Sequence, residues 1–111
     1  MAIKLKVILL IAVFILSACE GGQDFKINGT EQELSVAMEK WSRSCALCHV
    51  RGEGGAPLVG DAEAWAPRLA QGEAVILRHT LDGFGKMPPL GYCMDCTERD
   101  YLVLIDFMAG Q

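Results

Sequence analysis

The sequence predicts a single small all-α domain, and three observations support this prediction. Its 111 residues, 51% of them hydrophobic and 7% aromatic, leave room for one compact domain and little else. Two capping-box patterns, at Thr30 and Thr97, are each followed by apolar residues at helical spacing. Residues 83–96 contain three glycines and two prolines, which rules out a regular element there.

The predicted helices follow in chain order from these signals. A first helix is expected from about 31 to 47, because apolar side chains recur on one face. Asp61 can cap a short second helix in which Pro67 permits a break, and 73–81 is a third helix that Gly83 ends. The last helix begins after Thr97. The core is expected to contain Leu34, Met38, Trp41, Leu69, Ile76, Leu104 and Ile105.

The first 29 residues carry an export signal. Two lysines within residues 1–6 precede a run of ten apolar residues, whereas a membrane span needs roughly 20. The sequence Leu16-Ser17-Ala18-Cys19 resembles a bacterial lipobox, so 1–18 is predicted to be a lipoprotein signal peptide. We expect a lipid on Cys19, a flexible tether over 19–29 and a folded domain over 30–111. The alternatives are a short uncleaved membrane anchor and an ordinary signal peptide that leaves Cys19 as a free thiol.

The predicted location is the periplasmic side of a bacterial membrane. The outer membrane is weakly favoured, because Glu20 follows the cysteine where an aspartate would favour retention in the inner membrane. The chain has a net charge of −4, and loss of Lys4 and Lys6 with the signal peptide gives −4 − 2 = −6. An acidic chain without a basic stripe is not expected to bind nucleic acid, and its polar partners should present basic surfaces.

Cys45, Cys48 and His49 form a CxxCH sequence, the attachment site of c-type haem. Two thiols on adjacent turns reach the two vinyl groups, and the next histidine ligates iron. Haem attachment takes place after export, so the motif and the signal peptide support each other. Two alternatives are a zinc site that also uses Cys93 and Cys96, and a thioredoxin-like dithiol, which would require a βαβ context.

An electron-carrying haem needs a second axial ligand, usually Met or His. Met87 is the predicted ligand because it lies in a loop stiffened by two prolines. Met38 and Met108 are expected in the core, and Met94 is restricted by the cysteines on either side. His79 would instead give a bis-histidine haem of lower potential.

Several segments together resemble the cytochrome c5 group of class I c-type cytochromes over residues 36–109. They are CALCH at 45–49, Gly55-Ala56-Pro57, Gly60-Asp61, Ala64-Trp65-Ala66-Pro67-Arg68, Met87-Pro88-Pro89 and Cys93-Met94-Asp95-Cys96. The resemblance implies four to five helices wrapped around one covalent haem, with Met87 as axial ligand. It further implies that the Pro57 carbonyl accepts a hydrogen bond from the His49 ring, and that Trp65 and Arg68 lie near the haem propionates. The predicted lipid anchor departs from the soluble carriers of this group.

Each of the five cysteines then has an expected role. Cys19 takes the lipid, Cys45 and Cys48 take the haem, and Cys93 and Cys96 remain as a pair. In an oxidising compartment this pair should form a disulfide, as the family does at this place.

These features predict a monohaem electron carrier in an exported, periplasmic electron-transfer chain, and not an enzyme. It would exchange single electrons with a redox protein donor and acceptor, act on no small-molecule substrate, and be a monomer or weak dimer. One alternative is a haem enzyme or a gas or redox sensor with an open distal site. The sequence offers no clear distal base and arginine for it, because Arg78 and His79 are adjacent on a helix and face different directions. Another alternative is a tethered cytochrome subunit of a larger oxidoreductase.

Overall fold

The computed structural model describes residues 27–110, which form five α-helices and two short 3-10 turns, with no strand among them. The predicted all-α fold is therefore confirmed. The expected signal peptide, Cys19 and most of the tether lie outside the described residues. The helices are α1 (Glu31–Trp41), α2 (Ala46–His49), α3 (Ala62–Leu69), α4 (Glu73–Asp82) and α5 (Glu98–Ala109).

Both predicted capping boxes are present. The Thr30 hydroxyl accepts from the Glu33 N–H at 3.2 Å, and the Glu33 carboxylate accepts from the Thr30 N–H at 2.8 Å. Thr97 and Asp100 make the same reciprocal pair at the start of α5, at 3.2 and 2.7 Å. Asp61 caps α3 as predicted. These bonds satisfy backbone N–H groups that a helix start otherwise leaves without partners.

The first helix is shorter than the sequence indicated, because it ends at Trp41 and not near residue 47. The Ser44 hydroxyl donates to the Lys40 carbonyl at 2.7 Å, and the Ser42 hydroxyl donates to the Glu39 carbonyl at 3.2 Å. Hydroxyl groups that bind nearby carbonyls offer the backbone an alternative to the helix. The chain therefore turns before α2, which carries the last four residues of the CxxCH sequence. Pro67, in contrast, lies within α3 without ending it.

The core is built around α5, which packs against α1, α3 and α4. All seven side chains predicted to form the core lie in this cluster or pack against it. Among the described residues, no helix is long and apolar enough to cross a membrane.

The folded part begins before residue 30. Ile27 is buried, and its N–H lies 3.5 Å from the Asp106 carboxylate on α5. Arg99 donates to the Asn28 carbonyl at 3.1 Å and binds both carboxylate oxygens of Glu33. Residues 27–29, which were expected to belong to the tether, are thus docked on α5.

Candidate haem-binding site

A cavity of about 250 Å³ lies between α2, α3, α4, α5 and the 83–92 loop. Its lining brings together every residue that the sequence assigned to haem attachment, ligation or support. These residues are Cys45, Cys48, His49, Pro57, Trp65, Arg68 and Met87. They come from segments separated by up to 42 positions in the chain, so only the fold places them around one space.

Two free thiols face this cavity. Cys45 is buried, and its pKa is raised chiefly by that burial, although its hydrogen bond with the Ser44 hydroxyl acts in the opposite direction. Cys48 is half-buried one turn later. Cys93 and Cys96 are joined in a disulfide with Cα atoms 5.4 Å apart, so they are not available for the alternative zinc site. Within residues 27–110, no group of His, Cys, Asp and Glu side chains is arranged to hold a metal ion.

The His49 ring is held in one orientation. Its Nδ1 lies 2.8 Å from the Pro57 carbonyl, which can only accept, so Nδ1 carries the hydrogen and Nε2 is left as the basic nitrogen. The His49 carbonyl accepts from the Val59 N–H at 3.1 Å. Burial lowers the pKa of His49, and the charge of Arg68 lowers it further, while the Pro57 bond partly opposes both. A neutral imidazole with a defined tautomer is the form that binds a metal.

Trp65 makes two contacts that the family resemblance did not imply. Its indole stacks on the His49 ring, with centroids 5.6 Å apart and planes 25° from parallel. Its Nε1–H donates to the Leu58 carbonyl at 2.8 Å, so this hydrogen is already used within the protein. Trp65 lines the cavity, but its polar atom is not free to bind a propionate. Arg68 also lines the cavity, and its guanidinium donates to the Ala64 carbonyl.

The loop that carries Met87 is fixed by its backbone. Met87 and Phe84 exchange two backbone hydrogen bonds of 2.9 and 3.1 Å, which form an isolated bridge. The Phe84 ring stacks on His79 of α4, with centroids 4.1 Å apart and planes 19° from parallel. A Cβ atom placed on Gly91 would lie 3.1 Å from the Met87 Cε, so the end of this side chain rests directly on a glycine. The Met87 thioether is therefore held at the cavity wall from two directions.

The other candidate ligands differ in position. Met94 is 78% exposed, lies between the bridged cysteines and does not line the cavity, and Met38 packs against the core. Met108 is buried in the core cluster and also lines the cavity. Its backbone carbonyl accepts from the Gly60 N–H at 2.7 Å, which connects α5 to the segment after His49. His79 lines the cavity and is half-buried against Phe84.

Tyr101 is a site residue that the sequence placed only on an apolar stripe. It is 2% exposed, lines the cavity and donates its hydroxyl to the Cys93 carbonyl at 2.6 Å. Asp95, inside the disulfide loop, accepts from Arg43 at 2.7 Å. The signal for Tyr101 was its hydroxyl on an otherwise apolar helix face, because a buried tyrosine usually needs a polar partner. The disulfide loop is thus tied both to α5 and to the segment just before Cys45.

These features fit haem c. The cavity offers two thiols at attachment spacing, a neutral imidazole with one free ring nitrogen, a thioether from a separate loop, and walls formed largely by apolar side chains. The site therefore defines a c-type cytochrome. Residues 32–108 match the protein family described as "Cytochrome C oxidase, cbb3-type, subunit III", and the chain belongs to this family of c-type cytochrome domains. The CxxCH sequence is its attachment motif for covalent haem c.

Curated relatives and a solved structure agree with this assignment. The chain is 34% identical over 88 residues to "Cytochrome c-555" of Chlorobaculum tepidum, which covers 76% of this chain and 82% of the relative. It is 37% identical over 71 residues to "Cytochrome c5" of Azotobacter vinelandii, and this alignment covers 62% of this chain and 86% of the relative. A chain of the "Crystal structure of electron transfer complex of nitrite reductase with cytochrome c" is similar with a TM-score of 0.59 and 35% identity, covering 67% of this chain and 90% of that one.

Proposed function

We propose that this cytochrome is a monohaem carrier of single electrons, with His49 and Met87 as the two axial ligands. The observation that carries the proposal is that the free ring nitrogen of His49 and the thioether of Met87 line one cavity from separate segments. Redox proteins are its partners and no substrate is transformed. The similarity to a cytochrome found in an electron-transfer complex with nitrite reductase supports partners of this kind.

The chain's own residues account for what such a carrier requires. Haem c, once attached, supplies an iron that accepts and releases one electron. The Pro57 carbonyl keeps the His49 ring in the orientation that directs Nε2 into the cavity. The bridge between Phe84 and Met87 keeps the thioether at the wall, and buried side chains of α5 exclude water. When both ligand side chains are held in this way, the geometry of the site changes little as the iron gains or loses an electron, which favours rapid electron transfer.

The deciding experiment is the visible spectrum of the matured, reduced protein with and without carbon monoxide. The spectrum of the reduced wild-type protein should not change when carbon monoxide is added, because Met87 occupies the sixth position. Met87→Ala should bind carbon monoxide readily, whereas Met94→Ala, which removes a methionine that is exposed and outside the cavity, should stay closed. If the wild-type protein bound the gas, the methionine assignment would fall and the open-site enzyme or sensor would become the better explanation.

The proposal also places the domain on the periplasmic side of a bacterial membrane, held by a lipid on Cys19. The lipobox-like residues 16–19 after a short apolar run support this, and Glu20 weakly favours the outer membrane. In cell fractionation the wild-type protein should sediment with membranes, and mass spectrometry of the mature protein should find a lipid on Cys19 as its first residue. An unmodified Cys19 thiol would contradict the anchor.

A second candidate function is a tethered cytochrome subunit of a larger oxidoreductase, which the description of the matching family favours. The two functions differ in native size. A separate carrier should migrate in mild detergent as a monomer or weak dimer, whereas a subunit would co-purify with other chains in fixed ratio.

A further inference from the structure

The Trp65 side chain makes two contacts, one with the His49 ring and one with the residue next to that ring's hydrogen-bond acceptor. The indole is 3% exposed, its ring face lies on the imidazole and its N–H is bound to the Leu58 carbonyl. Burial alone does not produce such a bond in this protein. The other tryptophan, Trp41, also has a buried Nε1, and this atom finds no hydrogen-bond partner among residues 27–110.

The position of the acceptor gives the bond its significance. Residues 57–59 are consecutive, and each makes one hydrogen bond to His49 or Trp65. The Pro57 carbonyl accepts from His49 Nδ1, the Leu58 carbonyl accepts from Trp65, and the Val59 N–H donates to the His49 carbonyl. The Leu58 carbonyl and the Val59 N–H belong to one planar peptide unit, so Trp65 and the His49 carbonyl hold this unit at both ends. The unit shares the Leu58 Cα with the peptide unit that carries the Pro57 carbonyl. Trp65 therefore restrains the acceptor that orients His49.

We infer that Trp65 is a positioning residue for the haem ligand His49, acting through its ring face and through the Leu58 carbonyl, and is not a donor to the haem propionates. The inference rests on the proposed ligation by His49. The stack limits rotation of the imidazole, at a separation typical of offset aromatic pairs. The hydrogen bond limits movement of the Pro57 carbonyl. A well-aligned bond at Nδ1 makes an imidazole a stronger electron donor to iron, which stabilises the ferric state.

The test is the midpoint potential of Trp65→Phe, with Trp41→Phe as the matched control. Phenylalanine keeps an aromatic ring that can stack and removes the N–H together with part of the indole, and Trp41→Phe loses the same atoms. Trp65→Phe should have a more positive midpoint potential than the wild type, because a less restrained Pro57 carbonyl accepts more weakly from His49. Trp41→Phe should have the wild-type potential, since its N–H has no partner to lose. Both variants should remain closed to carbon monoxide. An unshifted potential in a closed Trp65→Phe protein would overturn the inference.

A measurement on the unaltered protein covers the case in which Trp65→Phe fails to fold. With ¹⁵N-labelled tryptophan, the Trp65 indole signal should keep one chemical shift through the pH range in which the propionates titrate, and should exchange slowly with solvent. A signal that follows the propionate titration would identify a propionate as the acceptor and would refute the inference. Carbon monoxide binding by the wild type is a separate outcome, because it would refute the proposed ligation itself.

Discussion

Gly91→Ala tests whether the Met87 thioether depends on the glycine beneath it. Gly91 has φ +54°, and an added Cβ would lie 3.1 Å from the Met87 Cε, which is closer than the 3.4 to 4 Å of an ordinary contact. Gly85 in the same loop has φ +58°, and an added Cβ there would meet nothing within 4 Å. Gly85→Ala therefore reproduces the backbone penalty without the contact.

The expected cost in stability is similar for the two variants. The left-handed conformation costs an L-residue about 1 to 2 kcal/mol. Alanine recovers about 0.4 to 1 kcal/mol of this by restricting the unfolded chain. The free energy of unfolding should therefore fall by about 1 kcal/mol in each case. Only Gly91→Ala also requires the end of Met87 to shift by a few tenths of an ångström.

Two assays separate these effects. Denaturant unfolding of the ferric protein gives the stability change. With the proposed ligation, the rate of carbon monoxide binding to the ferrous protein reports how readily Met87 leaves the iron. Gly91→Ala should bind the gas faster than Gly85→Ala at similar stability. Equal rates in the two variants, or a faster rate in Gly85→Ala, would show that the contact with Gly91 does not support the ligand.

Four further predictions follow from named interactions. Tyr101→Phe should lower the free energy of unfolding by about 1 to 2 kcal/mol in urea, because the buried Cys93 carbonyl keeps only the Cys96 N–H at 3.3 Å. Replacing both Cys93 and Cys96 by serine should lower the free energy of unfolding by about 2 kcal/mol, since the loop that the disulfide closes is short. Redox titration of this variant should still find one electron per protein. Arg99 holds the pKa of Glu33 at about 2, below its ordinary 4.5. The ionised carboxylate therefore stabilises the folded state fully above pH 4.5, and this stabilisation is lost as the pH falls towards 2. Glu33→Gln should flatten the acid-unfolding curve, followed by circular dichroism, over that interval. Added salt should slow electron transfer to the physiological partner, and a rate that ignores salt would argue against charge-guided docking.

The attachment motif and the helix starts could be identified from the sequence because they depend on short spacings. Cys45, Cys48 and His49 lie within five positions, and the capping boxes at Thr30 and Thr97 each span four. Chemistry of this kind needs only a helical or turn conformation to bring its groups together. Met87 could be selected because two prolines follow it directly.

Only the tertiary structure decided the contacts between distant segments. The docking of Ile27 on α5 and the bond from Tyr101 to the Cys93 carbonyl have no short-range pattern. The same holds for Trp65, because the family resemblance implied a place near the haem propionates but did not indicate its hydrogen-bond partner. A buried donor bonds to whichever acceptor the packing brings within reach, and that acceptor is set by the whole arrangement of helices and loops. The sequence by itself determined that this protein attaches haem and where, whereas the packing determined how His49 is held.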